Sequence, residues 1–412
     1  MTLPTYENSR KLPHIAGLIL IVIAFVVTVL HLTRNNGYVV HLDQQVFVGP
    51  TGSNDGNKST NRRCDLFSGK WVYDDVSYPL YKEKECSFME NGFACEKYGR
   101  QDLKYQNWRW QLHHDHCELP SMFNGTTLLE KIKGKKLIYV GDSLLRNQWR
   151  SMLCLIESSL SSNKSLKTAG NLAYLHANEY NASIGFYWSP MLVASSGDNV
   201  DTHESSRGIT VRVESIEEHG RHWLDADILI FDAFAWWMGH KLTILWGSFG
   251  NPNATQKKLD KSLRPLEMAL STWSDWLEMN INRTRTKLFF MSLSPFHYTG
   301  ETWEEKQNCY NQTEPILKEG YWGAATSRVV MRIVESTIRK LEKRGVKVEY
   351  LNITHLSDNR KDAHPSIYRK FPYMISAERL ANPKSYSDCM HWCLPGLPDV
   401  WNQILYSYII NS

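Results

Sequence analysis

Two short segments carry side chains able to do acyl-transfer chemistry. The first is Gly141-Asp142-Ser143, preceded by a β-rich run at 136–140. After it, Leu144, Leu145, Trp149, Met152, Leu153 and Ile156 recur at helical spacing. A serine in such a strand-to-helix turn is presented at the carboxyl end of a sheet, where α/β folds bind their ligands. The start of the helix adds backbone N–H groups and the positive end of a dipole, both suited to a developing oxyanion. The bland alternative is a serine that only caps the helix.

The second segment is Ser387-Asp388-Cys389-Met390-His391-Trp392-Cys393, continuing through Leu-Pro-Gly396 to Asn402. An Asp and a His three apart lie on one side of a helical turn, where the carboxylate can orient the imidazole. The imidazole can then serve as general base to a serine hydroxyl. Disulfides at the flanking Cys389 and Cys393 would hold the histidine in place. The alternative is a histidine packed beside a tryptophan with no chemical duty. Taken together, the two segments favour catalysis by Ser143, His391 and Asp388, with no metal required.

Several elements must position these residues. Further β-rich runs lie at 228–231, 288–291 and 346–351. Between them fall two more helical faces. One runs Leu266, Ala269, Leu270, Trp273 and Leu277 behind Pro265; the other runs Val330, Ile333, Val334, Ile338 and Leu341, ended by Gly345. Strands alternating with helices predict a parallel sheet covered on both faces. Residues 64–120 hold four cysteines and many aromatics with little periodicity, and read as a disulfide-pinned, loop-rich cap. No internal repeat is evident.

The rest of the composition bounds compartment and partners. The 412 residues, 42% hydrophobic and 22% charged, exclude a disordered chain and a disulfide-stapled mini-protein. A net charge of +4 gives nucleic-acid binding no support. Residues 15–30 carry no charge and follow Arg10 and Lys11, which predicts an uncleaved signal anchor at 12–34 with the N-terminus cytosolic. A polar, Gly/Ser/Asn-rich stem at 35–63 follows. Beyond the anchor lie eight Asn-x-Ser/Thr sequons, at Asn57, Asn124, Asn163, Asn181, Asn253, Asn282, Asn311 and Asn352. All 8 cysteines also lie beyond it, in spacings that suit disulfides better than zinc. Their connectivity stays open. The 15 tryptophans exceed ordinary usage; most are expected in the core, some on a sugar-binding surface.

Both chemical segments also carry a family resemblance. The stretches 141–148 and 388–402 resemble the paired signatures of the plant Trichome Birefringence-like proteins, as do Cys64-Asp-Leu-Phe-Ser-Gly-Lys-Trp-Val72, Tyr98-Gly-Arg-Gln-Asp102 and Arg360-Lys-Asp-Ala-His-Pro-Ser366. The resemblance implies an α/β, GDSL/SGNH-esterase-like three-layer fold with a central parallel sheet over residues 121–412, the cap in front of it and the membrane anchor at its head. It implies a Golgi membrane enzyme, single-pass type II after a cytosolic tail at 1–11, that O-acetylates cell-wall polysaccharide in the lumen. Acetyl-CoA as acetyl donor comes only with the resemblance, since no nucleotide-binding loop is recognisable. Tyr180-Asn-Ala-Ser-Ile-Gly-Phe-Tyr-Trp-Ser-Pro190 and Leu245-Trp-Gly-Ser-Phe249 are more similar to the xylan-acetylating branch, which points to the 2- and 3-hydroxyls of xylosyl residues. Ser143 would be nucleophile, His391 base and Asp388 its orienting partner. A luminal carbohydrate O-acetylesterase and a catalytically weak polysaccharide-binding protein are the alternatives. One departure supports the last: Asp232 stands where the family carries an Asn expected to help bind the oxyanion, and a carboxylate there would repel it. Gly170 and Gly185 are candidates for the other oxyanion donor.

Overall fold

A computed structural model describes residues 64–411, except 114–118, 120–122, 162–163, 200–207, 240, 246–255, 260–262, 299–307, 319 and 324–325. The expected cytosolic tail, anchor and stem at 1–63 lie outside the described residues. Among the described residues no helix is long and apolar enough to cross a membrane.

The described residues open with an antiparallel ribbon of β1 (Gly69–Tyr73) and β2 (Trp108–Leu112), in which Trp71 faces Trp110 edge-on at 5.3 Å. The main sheet draws on β3 (Lys136–Gly141), β4 (Ser165–Ala169), β5 (Leu172–Ala177), β6 (Ala182–Trp188), β8 (Ile228–Phe231), β11 (Lys287–Met291) and β12 (Val348–Leu351). A second, small sheet joins β7 (Ile209–Val211), β9 (Leu242–Leu245) and β10 (Gln256–Leu259). In the main sheet the order is β12-β11-β8-β3-β6-β5-β4.

This sheet is mixed, which corrects the expectation of a parallel one. The five strands from β12 to β6 are parallel, but β5 and β4 run antiparallel at the far edge. The connections decide this. Gly170, at φ +58°, turns β4 into β5, and residues 178–181 turn β5 into β6, with Asn181 left-handed at φ 47°. Links this short can join only antiparallel neighbours, because a parallel crossover needs a dozen residues or more.

Strand alternation builds the two cores. Leu137 and Tyr139 of β3 face one side, where they meet Trp149 and Leu153 of α2 (Ser143–Ile156) and Trp401 and Leu405 of α5 (Leu397–Ile410). The short α1 (Gly125–Lys131) adds Leu128 and Leu129 to that side. Ile138 and Val140 face the other, against Trp273 of α3 (Arg264–Asn280) and Val334 and Ile338 of α4 (Arg328–Lys343). Side chains of a strand alternate faces, so one continuous apolar run serves both layers. Local chemistry sets the helix starts. Asp142 and Ser327 cap α2 and α4 through their side chains, and Pro265 opens α3.

The aromatic cap and the α/β body form one compact unit. Arg100 reaches from the cap to the carbonyls of His364 at 2.8 Å and Asp362 at 2.6 Å, and Arg360 answers with a bond to Tyr105 O at 2.7 Å. Three disulfides join described residues: Cys86–Cys154, Cys95–Cys393 and Cys309–Cys389. Cys64 is also disulfide-bonded. Ten described tryptophans are buried, in keeping with the expected core role of most of them.

Candidate active site

Ser143 is the first residue of α2, one residue, Asp142, beyond the end of β3. Asp142 caps the helix by accepting from Leu144 N at 2.9 Å. Gly141 permits the tight passage from strand to helix, because a Cβ there would lie 2.7 Å from the Asp232 carbonyl at the end of neighbouring β8.

Asp388 and His391 come from a loop, and this corrects the expectation of a helical turn. No helix covers residues 386–396; the Asp388 carboxylate organises the loop itself, with Oδ1 accepting from the N–H groups of Met390 and His391, both at 3.0 Å. Cys389 is tied to Cys309 and Cys393 to Cys95, so the loop is pinned on both sides of His391.

The structure brings the three side chains into one hydrogen-bonded row. His391 Nδ1 donates to Asp388 Oδ2 at 2.8 Å, which leaves Nε2 as the acceptor for the Ser143 hydroxyl, also at 2.8 Å. Burial, then the Arg369 guanidinium, pushes the His391 imidazole down to about 3. At neutral pH the ring is therefore uncharged and free to take a proton from Ser143. That geometry can generate a serine alkoxide equivalent, the nucleophile of acyl transfer.

Sequence reading missed Arg369. Its Nη1 contacts Asp388 Oδ2 and lies 3.2 Å from His391 Nδ1, so one carboxylate oxygen accepts from both the guanidinium and the imidazole. No local pattern around Arg369 announces this; only the fold of residues 364–372 against the 388–393 loop creates it.

Comparison with known proteins fits this geometry. The model of the GDSL/SGNH-like acyl-esterase family found in Pmr5 and Cas1p matches residues 119–408, well over half of the chain. The chain belongs to this family. A second model, the PMR5 N terminal domain, matches residues 62–118. Among curated relatives, Protein trichome birefringence-like 34 of Arabidopsis thaliana is 47% identical over 365 residues, covering 87% of this chain and 88% of that protein. Xylan O-acetyltransferase 14 of Oryza sativa subsp. japonica is 45% identical over 377 residues, covering 86% of this chain and 79% of the relative. Xylan O-acetyltransferase 13 of the same plant is 43% identical, covering 88% and 72%.

In this GDSL/SGNH-like protein, Asp232 does not present the charge its residue type suggested. It is 3% exposed, and burial together with the Asp142 carboxylate holds its carboxyl well above the usual range. Burial also raises Asp142, to about 6. One oxygen of each, Asp142 Oδ2 and Asp232 Oδ1, has no hydrogen-bond partner among the described residues. A protonated Asp232 is neutral and is no longer a source of repulsion for an oxyanion.

The two glycines suggested by sequence fall differently. Gly185 is in the middle of β6, opposite Ile138, away from the carboxyl edge where Ser143 stands. Gly170 is in the β4–β5 turn, two strands from β3, with no atom within 4 Å of where a Cβ would be. Neither is brought to Ser143. Residues 246–249 of the branch-specific stretch lie outside the described residues.

Proposed function

We propose that this chain transfers acetyl groups onto xylosyl hydroxyls of xylan. The observation that carries the reading is the continuous row Ser143–His391–Asp388, with both links at 2.8 Å. Family membership and the names of the rice relatives support the choice of acyl group and acceptor.

The reaction is a double displacement. Ser143 Oγ attacks the acetyl carbonyl of the donor, taken as acetyl-CoA, while its proton passes to His391 Nε2. Collapse of the tetrahedral adduct expels the CoA sulfur, which takes the proton from His391. A xylosyl 2- or 3-hydroxyl then gives its proton to His391 and attacks the acetyl-serine. The second adduct releases the acetylated sugar, and the proton returns to Ser143. Asp388 orients the imidazole and stabilises its charged form. The backbone donor assigned to the developing oxyanion is the Ser143 N–H at the start of α2, because the Leu144 N–H is held by Asp142.

The setting we propose is the Golgi lumen, below a single anchor at 12–34 and a stem at 35–63, with the cap at 64–120 and the catalytic region at 121–412. The disulfides suit an oxidising compartment. Asn124, Asn181, Asn282 and Asn311 of the sequons are exposed, as glycosylation requires.

One further reading has support: hydrolysis of carbohydrate acetyl esters, since the matching family is described as acyl-esterase. Water would then replace the sugar as the final acceptor. Mass spectrometry of xylo-oligosaccharides incubated with the full-length protein and acetyl-CoA separates the two. Gain of acetyl mass that is lost in Ser143→Ala supports transfer. Loss of acetyl from pre-acetylated oligosaccharide, with no gain, replaces it with hydrolysis.

A further inference from the structure

Behind His391 runs a second row of ring nitrogens that the reaction does not use directly. His364 Nδ1 lies 2.6 Å from the main-chain carbonyl of His391, and His364 Nε2 lies 2.6 Å from His297 Nδ1. His297 Nε2 lies 2.9 Å from the main-chain carbonyl of Asp358. Both histidines are buried, and they come from segments far apart in the chain.

Counting protons along this row gives an unexpected result. Each end is a carbonyl oxygen, which can only accept, so each end contact requires an N–H. The central contact joins two ring nitrogens, and two lone pairs would repel at that distance, so it requires a proton as well. Three contacts therefore need three protons on four nitrogens. Two neutral imidazoles supply two.

We propose that His297 and His364 act as one positioning unit that binds a single extra proton, and that this proton lets the unit grip the backbone of His391. The inference rests on the reading of His391 as the general base. The surroundings contain groups of both signs. The Asp358 carboxyl is 3.8 Å from His297 Nε2, and the Trp392 ring stacks on His364 with centroids 3.9 Å apart; both favour a cation. Burial first, then Lys361 beside His297, and His297, His391 and Arg100 beside His364, pull both imidazoles below the usual range. It is therefore the three contacts that hold the extra proton against these surroundings. Rings this close cannot both be charged, so the unit accepts one proton and refuses a second.

The consequence is directional. When the extra proton leaves, one contact of the three must empty. The remaining two protons then fill either the His391 end or the Asp358 end along with the centre, and the hold on His391 becomes intermittent. Transfer activity falls as pH rises through that loss.

Two measurements test this. In the full-length protein labelled with 15N-histidine, imidazole NMR across about pH 5 to 8 counts the ring protons. Three protons on the pair at the acid end, one of them far downfield between the rings, are expected; two protons at every pH overturn the proposal whether or not the protein is an acetyltransferase. The second is the pH profile of His297→Gln, whose amide can still donate to His364 but cannot be charged. With His364 Nε2 accepting from that amide, the His364 proton sits on Nδ1 and donates to the His391 carbonyl without any extra proton. The expected readout is therefore loss of the parent's alkaline decline, with KM unchanged. A folded His297→Gln protein that keeps the parental profile overturns it. An inactive parent with a three-proton pair would sink the acetyl-transfer reading and leave the unit standing.

Discussion

Asp142 and Asp232 are two buried carboxyls at the ends of adjacent strands, each with one oxygen that no described residue satisfies. The pair lies beside the proposed nucleophile, and its electrostatics follow from crowding. The two cannot both be ionised in so little water, and the more strongly raised of them, Asp232, holds the proton.

That assignment predicts the behaviour of Asp232→Asn. A neutral carboxyl and an amide have nearly the same shape, so acetyl transfer should stay close to the parental rate. Removal of a working oxyanion donor costs about a hundredfold or more, and a loss of that size would show that the amide fails where the carboxyl served. Stability gives a second readout with a definite sign. The folded carboxyl is raised above its unfolded value of about 3.9, so the folded state keeps a proton that the unfolded state gives up, and parental stability falls as pH rises above that value. The Tm of Asp232→Asn relative to the parent should therefore climb between about pH 5 and 8. A constant difference would mean that Asp232 is ionised in the fold.

The depressed imidazole of His391 sets the acid limb of catalysis. A base pushed down to about 3 stays uncharged through the mildly acidic range. Thus kcat/KM should hold as pH drops through about 6.5, where an ordinary histidine would lose half its base form. An acid limb at that ordinary position would contradict the burial argument.

Arg369 is expected to influence that limb. It is the second cause of the depressed imidazole and shares Asp388 Oδ2 with it. In Arg369→Gln the acid limb should move to higher pH, and kcat should fall by roughly tenfold as Asp388 loses a fixed partner. A pH–rate profile that keeps its position would limit Arg369 to packing.

The Cys95–Cys393 bridge closes a loop of 298 residues and ends two positions beyond His391. Replacing both cysteines with serine should remove about 2–5 kcal/mol of stability, read as a lower Tm by calorimetry. The activity of the folded fraction should also decline, because the 388–393 loop loses one of its two anchors. Unchanged stability would show that the cap–body contacts around Arg100 hold that loop without the bridge.

Strong local signals were legible in the chain itself. The apolar runs of β3, β8, β11 and β12 and the faces of α2, α3 and α4 follow from periodicity, because each buries one stripe or two faces whatever its neighbours are. Ser143, Asp388 and His391 stood out by residue type and motif. Strand β6 escaped notice because Ala182, Ser183 and Gly185 dilute its apolar signal, and the β4–β5 hairpin because β4 is exposed along its whole length. C-terminal helix α5 escaped too, although Asp399 accepts from Gly396 N at 2.7 Å to start it. What the sequence determined by itself was a set of elements and a short roll of reactive side chains, since spacing and residue chemistry are local properties. Tertiary structure alone decided which oxygen faces which nitrogen, which cysteines pair, and which charges survive burial. Those outcomes depend on groups such as Arg369, His364 and Asp232, which meet their partners only when distant segments fold together and exclude water.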